Sequence, residues 1–160
     1  MKKTLTLILI VLSLTLIITG CGKNKNNDIK NDNTVAANLV LEFEKEMPKS
    51  KNIKDVANKL IKSNIIVPHV EYLEMKEGDY LAGFKEEIKG YKSAVIIAPT
   101  ISTIPFIAYI FEVDNPNEFA NNLKEQANLR WNICTEADEM KVSVVDNYVF
   151  FVMSPNNFDN

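Results

Sequence analysis

A chain of 160 residues, 46% of them apolar, with a formal net charge of -3, leaves room for a signal and one small domain with its own core. Eighteen basic residues against 21 acidic ones give no excess of positive charge for phosphate backbones, which excludes a nucleic-acid binder. A single histidine and only two cysteines exclude a multi-histidine metal site and a paired-cysteine motif.

Lys2 and Lys3 open the chain as a positive n-region, and Thr4 to Ile18 form an uncharged run rich in Leu and Ile. As a helix, about 15 residues would span about 22 Å, short of the roughly 30 Å hydrocarbon core, so a secretion signal fits better than a permanent span. Ile17-Ile18-Thr19-Gly20-Cys21 has the pattern of a lipobox, in which a peptidase cuts ahead of a cysteine that already carries diacylglycerol. The expectation is a lipoprotein signal peptide over residues 1–20 and lipid attachment at Cys21. An uncleaved N-terminal anchor is the alternative, and both readings put the domain on the extracytoplasmic face of the cell membrane. Two acyl chains bury on the order of 30 methylenes at about 0.8 kcal/mol each, enough to make spontaneous release rare. Removal of Lys2 and Lys3, with no acidic residue ahead of Cys21, takes the net charge from -3 to -5. Anionic lipid therefore contributes little, and the acyl chains must supply the attachment.

From Gly22 to Asn33 the composition turns to Asn, Lys and Asp, with Ile29 the only large apolar side chain. Such a segment cannot offset its ordering entropy, so residues 21–33 read as the lipidated cysteine and a disordered tether with a reach of about 20 Å. A single domain is expected over 34–154, followed by a C-terminal tail at 155–160. Val35, Leu39, Phe43 and Met47 recur every fourth residue, predicting a peripheral helix that Pro48 ends. Ile53, Val56, Ala57, Leu60 and Ile61 form the apolar stripe of a second helix, with Asn52 as its cap. Val70 to Met75 reads as a strand and Glu77-Gly78-Asp79 as a turn. Tyr80 to Tyr91 is expected to be irregular with a helical turn, because Gly83 and Gly90 interrupt the helical spacing of Leu81, Phe84 and Ile88. The runs Ala94–Ala98 and Phe106–Val113 predict neighbouring strands buried on at least one face.

Asn115, Pro116 and Glu118 form the opening of a capped helix expected to reach Leu129, with Phe119, Ala120, Leu123 and Ala127 inward. Lys141–Val145 and Tyr148–Met153 flank Asp146-Asn147, a two-residue hairpin turn. The order of elements predicts an α+β fold, a mainly antiparallel sheet with helices packed on one face.

The segment Leu129 to Glu139, with Trp131, Cys134 and Asp138, and the segment Asn147 to Met153 resemble the C-terminal part of an uncharacterised lipoprotein family of low-GC Gram-positive bacteria, defined by a domain of unknown function. The resemblance would cover about residues 53–153. It implies an exported lipoprotein and carries over no catalytic residue.

No phosphate loop, nucleophile elbow, metal site or cofactor motif is present, and no cofactor is expected. His69 and Glu71 are read as a possible pair on one strand face, or as a solvated histidine beside Pro68. Glu86-Glu87 and Glu136, Asp138 and Glu139 are carboxylate clusters that commonly just solvate a surface. The favoured reading is a binding or accessory module with no catalytic constellation, whose partner is an envelope protein or small ligand. The alternative is a cell-envelope enzyme using a carboxylate pair such as Glu71 and Glu74, or Cys134 as nucleophile with His69. Cys134, left without an intramolecular disulfide partner and lying beside Trp131 and Ile133, is expected to be buried. The candidate partner-binding stretch is Thr100, Ile101, Ser102, Thr103 and Ile104, framed by Pro99 and Pro105. It reads either as a loop folded back on the core or as a stiff tip with outward isoleucines.

Overall fold

The computed structural model describes residues 33–66, 69–101, 103–132 and 134–158. The signal, Cys21 and the tether through Asp32 lie outside the described residues. Helix α1 spans Val35–Ser50, and Thr34 caps it by accepting from the Ala37 amide at 3.3 Å. Leu39, Phe43 and Met47 are fully buried, so this helix belongs to the core rather than to the periphery. Pro48 sits inside the last turn, where one missing N–H is tolerated, and the helix stops only at Lys51, which turns left-handed at φ 52°. Helix α2 follows at once over Ile53–Lys62. Its cap is the predicted one: Asn52 Oδ1 accepts from the amides of Lys54 at 2.9 Å and Asp55 at 3.2 Å.

Five strands complete the described fold: β1 Val70–Met75, β2 Tyr91–Pro99, β3 Ile107–Val113, β4 Glu139–Val145 and β5 Tyr148–Ser154, with helix α3, Pro116–Gln126, between β3 and β4. They form one antiparallel sheet in the order β1-β2-β3-β5-β4, so the fold class is α+β. The register gives the sheet two distinct ends. At one, Val70 faces Pro99, Ile107 faces Met153 and Glu139 faces Ser154. This is the tip end, because it carries the β2–β3 connection. At the other, the turn end, Met75 faces Ala94 and Val145 faces Tyr148. Helix α1 starts at the tip end, where the Val35 amide donates to Asn156 O at 3.0 Å, and finishes at the turn end, where Tyr148 Oη donates to Lys51 O at 3.0 Å.

The helices, expected on one face, are divided between the two. Val95, Ile97, Ala108, Ile110, Phe150 and Val152 pack beneath α1 and α2, with Phe43 stacked on Phe150 at 5.0 Å. Their sequence neighbours point the opposite way: Tyr109, Phe111, Phe151 and Met153 lie under α3 and the segment 79–90. The physical reason is that β3 and β5 are apolar at successive positions, so a cover on one side alone would leave half of them wet.

Segment 79–90 is irregular as expected, without the helical turn, yet it is tightly held. Tyr109 Oη donates to Ala82 O at 2.9 Å, the Asn128 amide to Gly83 O at 2.9 Å and the Lys85 amide to Gln126 O at 2.8 Å. Gly83, at φ 95°, lies so near the sheet that an added Cβ would stand 2.6 Å from Met153 Cε. Helix α3 ends at Gln126, short of Leu129. Asn115 stands at its N-cap position, but its side chain makes no capping bond; Pro116 alone sets the start. After β5 the chain docks back instead of trailing away: Phe158 meets Phe106 edge-on at 5.8 Å, and the Asn156 amide donates to Asp138 Oδ2 at 2.8 Å.

Helices α1 and α2 are clamped by Glu46, whose carboxylate takes Lys49 Nζ at 2.8 Å and Lys59 Nζ at 2.6 Å. Hydrogen bonds from Lys49 and then Lys59 pull its carboxyl down to about 2 from the ordinary 4.5, against the opposing effect of burial. Because the folded value is lower than the unfolded one, this stabilisation is complete above about pH 4.5 and is lost as pH falls toward 2. Glu46→Gln is expected to lower stability at pH 7 and to converge with the wild type near pH 2 in urea unfolding. Parallel pH profiles for the two proteins would contradict this account.

Candidate functional site

The β2–β3 connection is built by the two strands that flank it and by the residue before β1. The Thr100 amide and Oγ1 donate to the carbonyl of His69 at 2.9 and 3.1 Å, which ties the tip to the start of β1. His69 therefore contributes its backbone here. It is exposed and sits at φ 71°, the left-handed region that side chains with a Cβ seldom adopt. Thr100 and Thr103 are exposed, and Ser102 lies outside the described residues. The two isoleucines separate. Ile101 is 65% exposed, whereas Ile104 is half-buried against the α1/α2 side of the core. The tip is thus a single outward apolar side chain on a hydroxyl-bearing turn, with Ile104 as its root.

The residues of the alternative, enzymatic reading are not brought together. His69 precedes β1, one edge of the sheet, and Cys134 precedes β4, the other edge. Four strand spacings separate those edges, about 19 Å. Glu71 and Glu74 are three apart on a strand and so point to opposite faces; Glu74 pairs with Lys54 of α2 at 2.7 Å. In the acidic run near β4, Glu136 is exposed, Asp138 holds the Asn156 amide and Glu139 pairs with Lys141 at 3.3 Å. Among the described residues no three His, Cys, Asp or Glu side chains are grouped to hold a metal ion.

Cys134, expected to be buried, is exposed. The 127–138 connection runs over the surface, as connections do to keep their backbone groups wet, and its buried anchor is Ala137 rather than the cysteine.

Two of the clefts formed by the described residues lie beside the sheet. One, of about 650 Å³ beside α3, is lined by Asp114, Glu118 and Glu125 with Lys89 as the lone cation, and nothing in it selects a ligand. The other, of about 400 Å³, lies at the turn end between the start of α2 and strands β1 to β3. Sequence reading missed this second cleft, because the pair Lys51 and Lys54, then Lys76, then Lys92 come from three separate parts of the chain. The pairing of Met75 with Ala94 brings Lys76 and Lys92 together, and the helices packed on the sheet add Lys51 and Lys54.

The tip geometry predicts a split response. Ile101→Ser should leave stability within about 0.5 kcal/mol of wild type, whereas Ile104→Ser should cost about 1 to 2 kcal/mol in chemical denaturation. Equal losses at both sites would contradict the separation. Cys134, in turn, should react with a bulky thiol reagent in the native protein as fast as in the unfolded chain. Protection of the native thiol would show that the connection is closed over it.

No protein-family model matches the sequence, and neither curated proteins nor solved structures provide a match.

Proposed function

We propose that the chain is an exported lipoprotein, attached at the outer face of the cytoplasmic membrane through a diacylglyceryl group on Cys21 and serving there as a binding or accessory module. The observation that carries the tethered part of this reading is a boundary. The first described element, helix α1, begins at Val35 behind its Thr34 cap, just where the polar run that follows Cys21 in the sequence ends. A polar stretch of about a dozen residues between a lipid-bearing cysteine and a domain is what a tether requires.

The binding-module part is supported by the separation of His69 from Cys134 and by the outward Ile101 at the tip. His69 leads into one edge strand and Cys134 lies in the connection that leads to the other, and no hydrogen bond between their side chains is found among the described residues. A stiff turn that exposes one aliphatic side chain among hydroxyls loses little entropy on contact with a partner.

Labelling of cells with a radioactive fatty acid, followed by detergent-phase partition, tests the anchor. The wild type should carry label and enter the detergent phase. Cys21→Ala should carry none and should accumulate as an unprocessed or shed form. A Cys21→Ala protein that is processed and partitioned like the wild type would overturn the proposal.

A further inference from the structure

The turn-end cleft collects cations in a protein whose charge balance is acidic. Four lysines line it, from four places in the fold: Lys51 at the end of α1, Lys54 in the first turn of α2, Lys76 just after β1 and Lys92 in the irregular start of β2. Two acidic side chains, Glu74 and Glu112, also line it, which leaves a formal excess of two positive charges. The whole chain carries -3, so the cleft is a local inversion of the protein's field.

The charges differ in how they are engaged. Lys54 pairs with Glu74 across the cleft at 2.7 Å, and Lys92 pairs with Asp114, which lies outside it. The ammonium groups of Lys51 and Lys76 make no ion pair among the described residues. Glu112 is already held, since Ser93 Oγ donates to it at 3.2 Å and Asn147 Nδ2 at 3.4 Å. The floor is apolar where Ile53 and Val95 line it, and the wall is fixed where Tyr148 Oη bonds to Lys51 O. The first turn of α2 starts at the same place and adds the positive end of its dipole.

From this arrangement we infer that the cleft is a binding site for a small organic phosphate bearing hydroxyl groups. Two unpaired ammonium groups supply the point charges for the phosphate, which needs no planar fork; the chain's one arginine, Arg130, is not among the lining residues. Glu74 and Glu112 are acceptors suited to hydroxyl donors, and they make a bare anion a poorer occupant than an anion with donors attached. A volume of about 400 Å³ admits a molecule of sugar-phosphate size and excludes a folded partner. The inference gives a ligand class to the binding-module reading and rests on that reading, but it is independent of the lipid on Cys21.

The test is calorimetric titration of the purified full-length chain in detergent with glucose 6-phosphate and with inorganic phosphate. A third arm uses phosphatidylglycerol vesicles. Saturable binding of glucose 6-phosphate, tighter than that of inorganic phosphate and weakened by added salt, is expected. Lys51→Ala with Lys76→Ala should weaken it by about tenfold or more. Lys62→Ala with Lys124→Ala, at exposed positions outside the cleft, should leave it unchanged. Lys76→Ala alone lies in an exposed turn and keeps the test open if the double variant unfolds. Saturation by the vesicles alone, abolished in the cleft variants, would assign the phosphate to a lipid headgroup. Absence of saturable binding by every probe, or unaltered affinity in the cleft variants, would overturn the inference. Fatty-acid labelling reports on Cys21 separately, so failure here leaves the anchor standing.

Discussion

Burial of the central strands on both faces is the constraint from which the rest of the fold follows. Tyr109, Phe111 and Phe151 point one way from β3 and β5, while Ala108, Ile110 and Phe150 point the other. Neither set can be left to water, since each large side chain gains roughly 1.5 to 3 kcal/mol from burial. The chain meets this demand with unequal covers. One face receives two helices clamped together by Glu46. The other receives one helix and an irregular segment that has to be pinned by Tyr109 Oη and by the bonds to Gly83 and Lys85. The covers reach less far over the edges. On β1, Leu73 remains 65% exposed opposite Ile96, and Tyr80, at the start of the irregular cover, is exposed as well.

Much of this was legible in the sequence wherever periodicity or a local rule decides the outcome. Leu39, Phe43 and Met47 at four-residue spacing gave a helix, Asn52 gave a cap with its two amides, and Asp146-Asn147 gave a hairpin with Asp146 at φ 52°. The failures share a cause, which is that local pattern does not encode what lies opposite. Strand β3 reads as an unbroken apolar run because it is buried twice, yet a run cannot say which helix covers which side. Asn115 had the right identity for a cap and the wrong backbone, ψ 73°, to reach the amides. Pro48 reads locally as a stop, although a proline in the final turn removes only one bond.

Sites were less legible than elements. The tip sequence from Pro99 to Pro105 was noticeable by composition, but the opposed fates of Ile101 and Ile104 depend on how the connection leaves β2, which no spacing reveals. Cys134 was expected inside because free cysteines commonly are, and its connection had already found its buried anchor in Ala137. No local pattern marks Glu46; only the approach of Lys59 from α2, thirteen residues on, makes it a clamp. In the turn-end cleft the same principle operates at longer range, since Lys51 and Lys92 are brought near each other by sheet register and helix placement rather than by sequence.

The two ends of the sheet divide the work that the proposals assign to this domain. The chain enters the folded unit at the tip end, where α1 begins beside Asn156, whereas the cationic cleft opens at the turn end. A strand of seven residues is about 23 Å long, so entry point and cleft are separated by roughly the length of the sheet. Charge reinforces the arrangement. An acidic chain is repelled by anionic surfaces in general, and the proposed site is a local excess of positive charge in which Lys51 and Lys76 make no ion pair among the described residues, so the balance that weakens nonspecific adhesion would also sharpen selection at the cleft.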